Sequence, residues 1–183
     1  LYGLDHVPRS QRDDLEYEFT DHDAGFAALA AHGLFQPFAH GDWDAETVLT
    51  QATVDFDALL LGDNHVAETT TVADTWVTYC GSTERASASE REARGYNLVE
   101  FDPEETPDDE AAADPPTGVD VRRRSLDDTT RDFAFVSVEL ASGEGVDRVR
   151  EQLRQHELED AVAIIELTGE GEPVTPAEIE SFA

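Results

Sequence analysis

Three segments of this chain carry side chains that could do chemistry. An apolar run, Phe26 to Ala31, ends on His32. A second, Ala58 to Leu61, runs into the turn Gly62-Asp63-Asn64-His65. A third, ending at Tyr79, leads into Cys80-Gly81-Ser82-Thr83-Glu84-Arg85. Each histidine sits where a buried strand would deliver it to the carboxyl edge of a sheet, and ligand sites of open α/β sheets form at that edge. Neutral imidazole is the commonest protein ligand for metals. The pattern points to metal-assisted hydrolysis, and to part of such a site rather than all of it.

Elements with the right periodicity surround these segments. Leu1 to Leu4 looks like the inside of a strand. Ser10 to Thr20 (SQRDDLEYEFT) is expected to form a short surface helix with Ser10 as N-cap. Asp44 to Phe56 reads as a helix capped by Asp44, with Val48, Leu49 and Ala52 on one face. Thr69 to Tyr79 is rich in β-branched and aromatic residues and predicts one or two strands. Asn97 to Phe101 and Val119 to Leu126 predict two more. Residues 103–118 (PEETPDDEAAADPPTG) carry four prolines and many acids without an aromatic residue, the composition of a linker or long surface loop. Beyond it, Phe133 to Leu140, Val146 to Leu158 and Ala161 to Leu167 read as strand, helix and strand, a β-α-β unit. Thr175-Pro176-Ala177-Glu178 is a helix start with cap, proline and capping glutamate. The expected division is therefore 1–102, a linker at 103–118, and 119–183.

Composition narrows the setting. The net charge is -30, from 42 acidic and 12 basic residues, and every basic residue is arginine. Lysine is ordinarily among the commonest residues. An acidic, lysine-free chain suits molar salt inside the cell, where salt strengthens apolar burial and screens charge. The alternative is an acidic regulatory protein of an ordinary cytoplasm. The charge does not exclude nucleic acid, because at ~1 M salt the Debye length is only ~3 Å. There is no apolar run of ~18 residues that would span a membrane and no secretory signal. The single Cys80 excludes an internal disulfide, fits a reducing cytoplasm, and is expected to be a small core residue. Methionine is absent and the chain opens on a strand-like segment, which reads as an excised fragment.

The ordered set of a strand-end histidine, a Gly-x-x-His turn, a Tyr-x-Gly-Ser-x-x-Arg turn and a Gly-Tyr-x-Leu-Val-Glu strand resembles the calcineurin-like metallophosphoesterases. Within them it resembles the double-strand-break repair exonucleases of the SbcD and meiotic-recombination-eleven type. Trp76 to Phe101 is the most specific stretch. The arginine-rich strand followed by Thr129-Thr130-Arg131-Asp132-Phe133 is similar to the entry of that family's small capping domain. The resemblance implies an α/β fold: the C-terminal half of a metallophosphoesterase α/β sandwich followed by a small α/β capping domain. It also implies two divalent cations, usually manganese, and assigns His32 as the strand-end ligand and His65 as the second histidine of the turn. Asp63 stands where the family has the turn's first histidine, and a carboxylate suits manganese. The family's Asp-x-His, Gly-Asp and Gly-Asn-His-Asp/Glu ligand motifs and its transition-state histidine are absent, so this chain by itself is expected to bind metal weakly and to cleave little. Two cations ~3.5–4 Å apart can activate water and stabilise both oxygens of an in-line displacement at phosphorus. The family's partners are DNA, a second copy of the nuclease, and an SMC-type coiled-coil ATPase.

Each of these residues also has a plainer role open to it. His32 and His65 could be structural, and Asp63 could be a turn former beside Asn64. His6, His22, His40 and His156 read as solvated. Arg85 could touch phosphate or pair with Glu84 or Glu90. Arg122-Arg123-Arg124 is the only basic cluster. Two of the three, Arg122 and Arg124, can share one strand face and meet a DNA backbone, or the cluster balances the acidic linker. Two rival functions stand beside the repair nuclease: hydrolysis of a small phosphodiester, and partner binding through a decayed metal site.

Overall fold

The computed structural model describes residues 1–102, 118–126 and 131–181. The chain is mixed α/β and forms two units, Leu1–Leu126 and Asp127–Ala183. The first contains β1 (Tyr2–Leu4), β2 (Ala28–His32), β3 (Phe35–Gln36), β4 (Trp43–Asp44), α1 (Ala45–Gln51), β5 (Ala58–Gly62), β6 (Ala67–Val72), β7 (Thr75–Cys80), β8 (Gly95–Phe101) and β9 (Val119–Ser125). Its main sheet runs β1-β2-β5-β7-β6. The first four strands are parallel, and β6 pairs antiparallel with β7 across the two-residue turn Ala73-Asp74. Both turn residues have positive φ, 48° and 60°, as the tight right-twisting hairpin requires.

Strand alternation builds the core. The register aligns Leu29, Leu59 and Val77 across β2, β5 and β7, and all three are fully buried. Burial of each such side chain is worth about 1.5–3 kcal/mol. A second row, Ala31, Leu61 and Tyr79, follows two residues on. Ala45 and Val48 of α1, stacked Phe35 and Trp43, and Phe56 complete this cluster. At the opposite edge Asp57 ties two strand starts together: its carboxylate accepts the Ala27 amide at 2.7 Å, and its own amide donates to the Ala27 carbonyl at 2.8 Å.

Residues 10–20 differ from expectation. A 3-10 turn covers only Arg9–Gln11, and the segment beyond it is not an α-helix. Leu15, Tyr17 and Phe19 pack on the core while Glu16, Glu18 and Thr20 are exposed, an alternation of period two that belongs to extended chain. The Thr53 amide donates to the Tyr17 carbonyl and the Thr53 hydroxyl accepts from the Phe19 amide, which fixes this strap. The same alternation ends α1 early: Val54 and Phe56 are buried between exposed Thr53 and Asp55, so the helix stops at Gln51 rather than Phe56. Cys80 is exposed, not a core residue, because it follows inward-facing Tyr79 by one position.

The expected boundary at residue 119 also moves. β9 pairs antiparallel with β8 from Gly95↔Ser125 to Phe101↔Val119, and the Trp76 indole donates to the Val119 carbonyl at 2.9 Å. The strand thus belongs to the first unit, not to the β-α-β unit. The proposed linker at 103–118 lies, save for Gly118, outside the described residues, as do Thr129 and Thr130.

The second unit has the expected order: β10 (Phe133–Leu140), α2 (Val146–Leu153), β11 (Val162–Gly169) and α3 (Pro176–Glu180). β10 and β11 are parallel over their full length. Val149 and Leu153 of α2 pack on Val136, Val138 and Leu140, joined by Ile165, Leu167 and Ile179. At the start of α3 the Glu178 carboxylate accepts both the Thr175 amide (2.8 Å) and the Thr175 hydroxyl (2.7 Å).

Candidate metal centre at the strand ends

Because β2, β5 and β7 are parallel, their last residues share one edge, and the segments singled out from sequence all lie there: His32, the Gly62–His65 turn, and the turn that begins at Gly81. His32 lies in register with Gly62. A Cβ at Gly62 would come within 3.1 Å of the His32 Nδ1, so glycine there makes room for the ring to lean across the neighbouring strand. The turn after His32 is clamped from below. The buried Tyr79 hydroxyl donates to the Gly33 carbonyl at 2.6 Å and accepts the Phe35 amide at 2.8 Å. Burial, aided by the negative charges of Asp63, Glu68 and Asp42, raises the phenol above its ordinary value against the opposing pull of the Phe35 amide.

His32 Nε2 stands 3.9 Å from Asp63 Oδ1, and both side chains are open to solvent. That is too long for a hydrogen bond. Two donors each about 2.1 Å from one octahedral ion stand about 3 Å apart when adjacent and about 4.2 Å apart when opposite, so this pair, lying between the two values, would have to shift to share a cation. Asp63 has φ of 102°, uncommon for a residue with a side chain. The turn's side-chain bonds are made by its neighbour: Asn64 accepts the Val66 amide at 3.0 Å and donates to Glu68 at 2.8 Å.

His65 has a different environment. Its Nδ1 is 2.7 Å from Glu90 Oε1. Glu90 Oε2 accepts the Ala86 amide (2.9 Å) and Arg94 Nη1 (3.2 Å). Arg94 is buried, 1% exposed, and donates further to Ser82 Oγ at 2.8 Å, the Glu92 carbonyl at 3.0 Å and the His65 carbonyl at 3.3 Å. Desolvation pushes the Glu90 carboxyl upward, but the His65 bond, the Ala86 amide and the charges of His65 and Arg94 together hold it below its ordinary value. Gly81, with φ of 70°, lets this cluster close: a Cβ there would meet the His65 carbonyl at 3.0 Å. Glu90 and Arg94 were not visible as site residues in the sequence, since nothing local marks a contact made across 25 positions.

Among the described residues, no three of histidine, cysteine, aspartate and glutamate form a group able to hold a metal ion. The structure brings His32 and Asp63 together and pairs His65 with Glu90; it does not gather His32, Asp63 and His65 into one such group. Arg85 donates to the Glu90 and Glu92 carbonyls at 3.1 and 3.4 Å, a loop-bracing role. Arg122 is bound to Asp120 and to Glu100, the latter at 3.2 Å, and exposed Arg124 shares its face opposite Tyr96. Arg123 points the other way and donates to the Cys80 and Ala93 carbonyls. His6, His40 and His156 are exposed, and His22 Nδ1 accepts the Ala24 amide.

A mostly parallel sheet with an imidazole and a carboxylate at its carboxyl edge, together with a β-α-β unit, makes this an α/β protein. No protein-family model matches the chain. Curated relatives do. The chain is 63% identical over 183 residues to the DNA double-strand break repair protein Mre11 of Haloferax volcanii and 53% identical over 182 residues to that of Halobacterium salinarum. The Mre11 of Methanosarcina acetivorans is 32% identical over 193 residues. These matches take in the whole chain but only 38%, 44% and 29% of the respective relatives, so the chain spans less than half their length. It is a homologue of one segment of the Mre11 proteins.

Proposed function

We propose that the chain is the C-terminal part of a DNA double-strand-break repair nuclease that hydrolyses phosphodiesters with two manganese ions. The observation that carries the reading is the His32–Asp63 pair at the strand ends of a chain homologous throughout to proteins named for that repair. His32 Nε2, Asp63 Oδ1 and the Nε2 of His65 are the donor atoms this chain would contribute, and the remaining ligands come from a segment outside it. The cations, when bound, supply Lewis acidity at the phosphate oxygens. The chain's own residues supply rigidity: Gly62 admits the His32 ring, Tyr79 locks the turn behind it, and Glu90 orients His65. Arg122 and Arg124 would meet backbone phosphates, Arg122 by exchanging its carboxylate partners, and Arg85 would steady the adjoining loop or reach phosphate itself.

The β-α-β unit is read as the capping domain, and its presence favours a polymeric substrate over a small phosphodiester. A second copy and an SMC-type coiled-coil ATPase are the proposed partners, in a cytoplasm at molar salt. No helix among the described residues is long and apolar enough to cross a membrane.

The test is to join the chain to the preceding segment of the Haloferax volcanii relative and to assay linear duplex DNA with manganese in molar KCl. The joined protein is expected to degrade DNA, with His32→Ala and His65→Ala abolishing activity and the isolated chain inactive. Unchanged activity in both variants, or cleavage by the isolated chain, refutes the proposal.

A further inference from the structure

The geometry points to Glu90 as a positioning residue that holds His65 in the Nδ1–H tautomer, leaving the Nε2 lone pair free for a divalent cation. This rests on the reading of His65 as a ligand but is separable from it. A carboxylate only accepts, so at 2.7 Å a proton lies on Nδ1, and in the neutral form of the ring Nε2 is then the bare nitrogen. Glu90 is not a passing surface partner. Its side chain is 11% exposed, and its second oxygen is taken by the Ala86 amide and by Arg94. Arg94 also grips the carbonyl of His65 itself. One buried guanidinium therefore holds both the backbone of the histidine and the carboxylate that holds its ring, which fixes ring orientation as well as tautomer. The Arg94 charge further offsets that of Glu90, so the carboxylate is committed to the imidazole rather than to a cation.

The experiment is nitrogen NMR of the chain with labelled histidine, in molar KCl with chelator, above the pH range in which imidazole titrates, followed by a manganese titration read as paramagnetic broadening at His65. The expected form is Nδ1–H. Glu90→Gln keeps it, since an amide oxygen still accepts, while Glu90→Ala releases it toward Nε2–H. Loss of an outer partner of this kind weakens metal affinity by about 10–100-fold, and Glu90→Ala is expected to shift the broadening curve by that factor, with Glu90→Gln in between. An Nε2–H form in the unmodified chain overturns the inference, as does a tautomer and manganese response unchanged in Glu90→Ala. Should Glu90→Ala not fold, the unmodified tautomer and Glu90→Gln decide: an intact Nδ1–H form with a weakened manganese response supports the inference, and an unweakened response overturns it. An Nδ1–H form that depends on Glu90, with no broadening at His65, refutes the ligand reading while leaving the hold of Glu90 on the ring intact.

Discussion

Replacing Tyr79 with phenylalanine isolates the clamp beneath the His32 turn. The ring keeps its place in the core and its edge contact with Phe38 at 5.0 Å, so little packing is lost. What disappears is one hydroxyl with two buried partners, the Gly33 carbonyl and the Phe35 amide. Each buried polar group left without a partner costs about 1–3 kcal/mol, so Tyr79→Phe, which strands two, is expected to destabilise the first unit by about 2–6 kcal/mol. Urea unfolding in molar KCl at neutral pH measures it, and a loss below about 1 kcal/mol refutes the reasoning. The pH dependence is a second check. The folded phenol titrates above its ordinary 10.0, chiefly through burial. Folding thus favours the protonated form. That stabilisation is whole below the unfolded value and is lost as pH rises through the raised folded value. The gap between the parent chain and Tyr79→Phe should therefore narrow at alkaline pH; a gap constant through that range contradicts the burial of the phenol.

Leu59→Ala, at the centre of the fully buried row, is expected to cost about 2–5 kcal/mol in the same unfolding assay. Gly62→Ala places a methyl against the His32 Nδ1 and should displace the ring, weakening manganese broadening at His32 while His65 is unaffected; an unchanged His32 response contradicts the close approach. Lowering KCl from about 2 M to about 0.1 M lengthens the Debye length from a few Å to ~10 Å. With a net charge of -30, the chain should then melt at lower temperature, and a melting curve indifferent to salt removes the molar-salt reading.

The parallel strands were legible because their apolar runs are short, bounded, and end on the residues of interest: Phe26–His32 and Ala58–Gly62 needed nothing but local pattern. The strap at 10–20 carries a plausible helix cap, Ser10, beside the alternation of Leu15, Tyr17 and Phe19 that belongs to extended chain. The place of β9 was hidden because its partner lies on the far side of residues 103–117, and strand pairing at that separation leaves no local mark. At the candidate site the same distinction holds. His32, Asp63 and His65 stand out as candidates through the family resemblance of the segments that carry them. Glu90 and Arg94 act only through tertiary contacts, and in a chain with 42 acidic residues one more glutamate carries no signal.

The two packed rows of the main sheet, Leu29–Leu59–Val77 and Ala31–Leu61–Tyr79, finish before Asp63 and His65, two of the proposed ligands. Natural selection can therefore alter the side chains at those two positions without disturbing the packed rows. A lineage could exchange imidazole for carboxylate at position 63, and with it the preference for one ion over another, while the sheet beneath folds as before.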